Sequence, residues 1–214
     1  SGSSVTLADD LTSAGPVTLS GTLVAANRTL TMNGTNVSLV GGGNTLTGLN
    51  ITSGSTTLTT SDLTVSTTTV SASSGLEIGT GRVLISTSTL TAYGTLWGAG
   101  TTTAQTALVA SAGSILNSNV RFDATDRNVT MPARTYRGNV EIYSNSGASA
   151  NSVTPDSGTL TITKAFMVNA ANSQNVTFAA NTNNPTVVIS GALNYLNGGT
   201  GGEIISAGTA AWDL

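Results

Sequence analysis

The chain has 214 residues, no Cys, no His, 38% hydrophobic residues, 8% charged residues and a net charge of −3. Disulfides, thiol nucleophiles, Cys- or His-based zinc sites and Ser-His-Asp triads are therefore excluded, and no basic footprint for nucleic acid exists. No run of 18 apolar residues predicts a membrane span, and apolar residues spread evenly along the chain argue for order.

Thr, Ser, Asn and Gly make up 109 of the residues. Apolar positions interrupt them about every six or seven residues, at Val5, Leu11, Val17, Leu23, Leu30 and Val37, then at Ile51, Leu58, Val65, Val70, Leu76, Val83, Leu90 and Leu96. Segments such as SVTL, PVTLSGTLV, RTLTM, NVSLV, TTLTT, LTVS, LEI, RVLIS and TLTAY alternate inward and outward positions and predict strands. Gly-, Asn- and Ser-rich pieces (NGT, GGGN, TSGS, SSG) separate them. The nearest approach to a helical pattern is the short stretch TAQTALVASA at 103–112.

The beat selects the architecture. Antiparallel sandwiches turn about every 8–12 residues, whereas three strands on this shorter beat make a coil of about 20, a solenoid length. The fold class predicted is all-β, a parallel β-solenoid (β-helix), with residues 1–118 forming about five or six short coils.

From residue 119 the predicted strands lengthen: NVRFDA, RNVTMPA, GNVEIYS, GTLTITKAFMV, QNVTFAA, PTVVISGALNYL and GEIISAG. Eleven of the 17 charges lie from Arg121 onward. Residues 119–214 are either a continued solenoid with longer strands and loops or a second β domain. VRFDATDRNVTMPARTYRGNVEIY, SGTLTITKAFMV and NVTFAANTNNPTVVISGALNYL resemble repeat units of long bacterial and archaeal surface and adhesin-like proteins. The resemblance covers residues 119–214. It implies a β-solenoid with an extracellular structural or adhesive role, and no catalytic residues.

The densest chemical cluster is 121–143, with Arg121, Asp123, Asp126, Arg127, Arg134, Arg137, Glu141, Phe122, Tyr136 and Tyr143. Arg121, Asp123, Arg127, Arg134, Tyr136, Arg137 and Tyr143 are candidates for a subunit contact or a glycan site. Aromatic rings stack on sugars, and Arg pairs bidentately at contacts. Asp123 and Asp126 are three apart, which puts them on opposite faces of an ideal strand and weakens a paired acid–base reading. TLT recurs at 29–31, 45–47, 57–59, 89–91 and 159–161, with Leu predicted inward and Thr outward. Flat Thr arrays on solenoids bind ice, but the intervals here do not fit one coil length. Asp9, Asp10, Asp62, Glu77 and Asp156 are isolated acids without a calcium-repeat register. Trp97 and Trp212 sit near Gly-rich stretches and are candidates to cover a coil end or seam.

Sequons stand at Asn27, Asn33, Asn36, Asn50, Asn128 and Asn175, compatible with N-glycosylation of a secreted chain. No catalytic residue, metal or cofactor is expected. No amphipathic helix marks either terminus as a cap, so the expectation is an extracellular, non-enzymatic protein whose coil ends are covered by further copies of itself, in a filament or surface layer. An adhesin or stalk module of a longer surface protein, and a carbohydrate-binding or carbohydrate-active solenoid using residues 121–143, remain the alternatives.

Overall fold

The structure is a computed structural model, and it describes residues 4–19, 22–24, 27–146, 151–171, 175–197, 203–205 and 207–214. Every regular element among them is a β-strand, and the strands pair in parallel as a stacked β-solenoid. The fold class read from the beat is the fold observed. Two compact units divide the chain: Ser1–Thr102 with Ala110–Ser118, and Thr103–Val109 with Asn119–Leu214.

In the first unit the strands stack on three faces. Val83–Ser86 lies on the leading half of Leu63–Val70 and defines the first face. On the second face Leu11–Ser13, Thr29–Met32, Thr45–Ile51, Leu63–Val70 and Thr89–Ala92 follow one another. The third face stacks Val17–Thr18, Val37–Val40, Gly54–Leu58, Ser74–Ile78, Thr95–Trp97 and Ile115–Leu116. Strands of consecutive coils pair 19 to 22 residues apart, as in Leu30↔Leu49, Leu76↔Leu96 and Thr68↔Leu90.

Strand alternation then builds the core. Inward residues fall directly above one another and form apolar columns: Leu39, Leu58 and Ile78; Leu76, Leu96 and Leu116; Met32, Ile51, Val70 and Ala92. All of them are at most 1% exposed. Burying such side chains stabilises by roughly 1.5–3 kcal/mol each. The outward residues are mostly Thr, Ser and Asn. One inward hydroxyl pair, Thr68 with Ser86 at 2.7 Å, satisfies itself inside the core.

The corners are tight. Gly54 has φ 61°, and a Cβ there would come within 2.3 Å of the Gly34 carbonyl oxygen, so the coils meet at a position that glycine fits. Two of the isolated acids serve coil junctions. Asp10 Oδ1 accepts from the Thr29 amide at 2.8 Å, and Asp62 Oδ1 from the Val83 amide at 2.9 Å.

The second unit uses the same three faces with longer registers. Val120 pairs with Val140, 20 residues on, and Val140 with Phe166, 26 on. Phe166 pairs with Leu193, and Thr159 with Thr186, each 27 on. Longer coils enclose more interior, and rings fill it. Phe122 meets Tyr136 edge-on at 6.1 Å, Phe166 meets Phe178 at 5.1 Å, and Phe178 meets Trp212 at 6.0 Å. The added length lies at corners and not in strands. GTLTITKAFMV, read as one strand, is Thr159–Ile162 and Phe166–Ala170. PTVVISGALNYL is Thr186–Ile189 and Leu193–Asn197. The reason is a stacked corner: a Cβ on Gly191 would lie 2.2 Å from the Lys164 carbonyl oxygen.

Candidate functional site

The charged cluster falls on the outer surface of the first face of the second unit. Asn119–Asp123, Val140–Ser144 and Phe166–Ala170 lie side by side there. Alternation turns Arg121, Asp123, Glu141, Tyr143 and Asn169 outward while Val120, Phe122, Val140, Ile142 and Val168 enter the core. Register places Arg121 beside Glu141, and Asp123 beside Tyr143 and Asn169.

A ladder of polar contacts follows. Arg121 Nε donates to Glu141 Oε2 at 2.7 Å, and Asn169 Nδ2 donates to Glu141 Oε1 at 2.8 Å. The Arg121 guanidinium lies 4.5 Å from the centre of the Tyr143 ring. Asp123 is held as firmly: Gln105 Nε2 donates to its Oδ2 at 3.0 Å and the Thr125 amide to its Oδ1 at 3.1 Å. Arg127 joins through Gln105 Oε1 at 3.3 Å. Asp126, at φ 56° in the following turn, accepts from Ser146 Oγ at 2.5 Å. The carboxylates are thus bonded within the chain itself. Their chemistry is that of a clasp between adjacent strands, in which charges neutralise one another across the rungs.

Not every expected member joins. Tyr136 is corrected from a surface candidate to a core residue. Its ring is fully buried against Phe122, and its hydroxyl donates to the Pro132 carbonyl at 3.0 Å. Burial, reinforced by Asp156 and opposed by Arg134, pushes its phenol well above the usual tyrosine range. The sequence hid this because the short strand Thr135–Tyr136 puts Tyr on the inward beat. Arg134, whose Nη1 donates to the Ala133 carbonyl at 2.8 Å, and exposed Arg137 flank that strand and not the ladder. Conversely, Gln105 and Asn169 were missed. Their signal is the register, 18 residues before Asp123 and 28 after Glu141.

The central leucines of TLT point inward as predicted: Leu30, Leu46, Leu58, Leu90 and Leu160 are at most 2% exposed. The threonines do not share one face. Thr12, Thr31, Thr69 and Thr91 form one outward row on the second face, interrupted by Asn50, and Gly48 breaks the row beside it. Among the sequons, Asn27, Asn33, Asn36 and Asn128 are exposed, while Asn50 and Asn175 are half-buried. Asn36 and Asn128 already bind the next coil through their side-chain oxygens, which accept from Ser55 Oγ and from Ser152. Among the described residues no helix is long and apolar enough to cross a membrane.

No family model matches the chain, and neither a curated protein nor a solved structure matches it.

Proposed function

We propose that the chain is a non-enzymatic structural protein of the cell exterior that assembles with itself by continuing its own strand stack. The observation that carries this reading is the mode of stacking. Each described coil meets the next through parallel strands whose inward residues fall in register, so an added rung needs no new kind of contact. On the third face of the second unit, Ala211–Asp213 pairs along one edge with Thr186–Val188. Its other edge offers the backbone groups that a further parallel strand takes up. With 8% charged residues, little desolvation opposes close approach. Exposed Asn27, Asn33, Asn36 and Asn128 are where such a surface protein would carry glycans.

Light scattering and negative-stain electron microscopy on the purified chain test the reading. Particles that lengthen with concentration support it. A monodisperse monomer at high concentration overturns it in favour of a module whose further rungs come from its own longer chain.

A further inference from the structure

A shallow groove of about 480 Å³ lies on the outside of the third face of the first unit, bordered by Ser55, Ala72, Ser73, Gly75, Thr95 and Trp97. Ser55, Gly75 and Thr95 are one outward row, paired in register across three coils. The adjoining row holds Thr57, Glu77 and Trp97. A Cβ on Gly75 would lie 2.2 Å from the Trp97 ring. Glycine therefore lets the indole lie down across the neighbouring strand, where any other residue would push it away. Trp97 stays only half-buried, on the outward side of a strand whose Leu96 is fully buried. Ala72 and Ser73, on the turn that borders the groove, are exposed.

The lining chemistry is specific in kind. It offers one broad aromatic surface and the hydroxyls of Ser55, Ser73 and Thr95, with no ionised side chain among them. Such a surface suits a ligand with an apolar C–H face and a rim of hydroxyls, which describes a pyranose ring. Charge selects further. The nearest acid in the adjoining row, Glu77, whose Oε2 accepts from Thr57 Oγ1 at 3.0 Å, disfavours anionic sugars. The floor also continues beyond one ring. Ile115 pairs with Thr95 in the same row and is 40% exposed, giving a second ring an apolar surface to cover.

We propose that this groove binds a neutral polysaccharide, with one sugar stacked on Trp97 and its hydroxyls held by Ser55, Ser73 and Thr95. The site does not depend on self-assembly, because every residue in it belongs to one unit of one chain.

The test is isothermal titration of the whole chain with neutral hexasaccharides (cello-, laminari- and mannohexaose) and with an acidic control, oligogalacturonate, while tryptophan emission is followed. Saturable binding of at least one neutral sugar, with none of the acidic one, is the expected result. Trp97→Ala weakens binding by about tenfold or more, the scale of a lost aromatic stacking contact, and Trp97→Phe recovers part of it. Ser73→Arg, on the exposed turn, fills the groove without touching the sheet and keeps the argument testable if Trp97→Ala misfolds. Arg121→Ala leaves binding unchanged. No heat or emission change with any neutral sugar overturns the proposal, as does binding that survives both Trp97→Ala and Ser73→Arg, or that is lost with Arg121→Ala.

Discussion

Arg121 reaches across adjacent strands to Glu141, Nε to Oε2 at 2.7 Å, with 39% of the arginine side chain but only 12% of the glutamate side chain exposed. The asymmetry decides what the pair is worth. The arginine remains solvated, so the ion pair counts at the surface value of under about 1 kcal/mol, and stacking on Tyr143 adds roughly 0.5–1 kcal/mol. Arg121→Ala is expected to cost about 1 kcal/mol by urea denaturation, with the ionic part shrinking in high salt. An unchanged midpoint at low salt would remove the clasp from the list of stabilising contacts.

Thr56 points into the core between Val37 and Leu76, and its hydroxyl finds no partner. Valine has nearly the same shape without that hydroxyl. Thr56→Val is expected to stabilise by about 1 kcal/mol, seen as a melting temperature raised by roughly 2–4 °C in a chain of this size. A lower melting temperature would mean that the hydroxyl is satisfied after all.

Two glycines on the third face of the first unit separate two effects. Gly54 combines φ 61° with the close Gly34 carbonyl. Gly54→Ala therefore meets backbone strain of about 1–2 kcal/mol and a clash on top of it. Gly75 has only the Trp97 ring in its way. Gly75→Ala is expected to lift the indole into water and shift tryptophan emission to the red, with a smaller loss of stability. Equal stability losses in the two variants would contradict this division.

The buried Tyr136 phenol makes stability depend on alkali. Its folded pKa is raised, so the native state holds the proton after the unfolded chain, titrating near about 10, has lost it. Its contribution is complete below that value and declines as pH rises through and beyond it. Denaturation midpoints at pH 8 and pH 11 should fall for the wild type and fall less for Tyr136→Phe. The variant also loses the bond to Pro132, about 1 kcal/mol at pH 8.

Leu76 stands at the middle of a column with Thr56 and Leu96 and is fully buried. Leu76→Ala leaves a cavity between rungs that cannot slide together, because each is fixed by its own ladder. A loss of about 2–5 kcal/mol is expected by chemical denaturation.

The fold was legible where one residue type carried one instruction. Thr-Leu-Thr states outward, inward, outward, and all five of its leucines are buried. The short beat gave the coil length for the same reason. Registers from residue 120 onward were harder to read, because a corner such as Lys164 against Gly191 leaves no apolar beat behind. The clasp was half legible. Arg121, Asp123, Glu141 and Tyr143 cluster in sequence, but Gln105 and Asn169 join them only through coil spacing. Tyr136 misled because an aromatic among arginines looks like a surface feature until its place on the inward beat is known. The Trp97 groove was hidden for a related reason: Gly75 and Trp97 are neighbours only once the coil is closed.

Leu39 stands on Leu58 at a distance of 19 residues, and Leu58 beneath Ile78 at 20. A segment one coil long can therefore be cut out or duplicated while both new junctions still bring leucine against an aliphatic partner, since each rung answers only to the rungs beside it. Length in such a protein is a quantity that whole-coil gains and losses can change stepwise, as links change a chain, with the exterior rows simply growing longer or shorter.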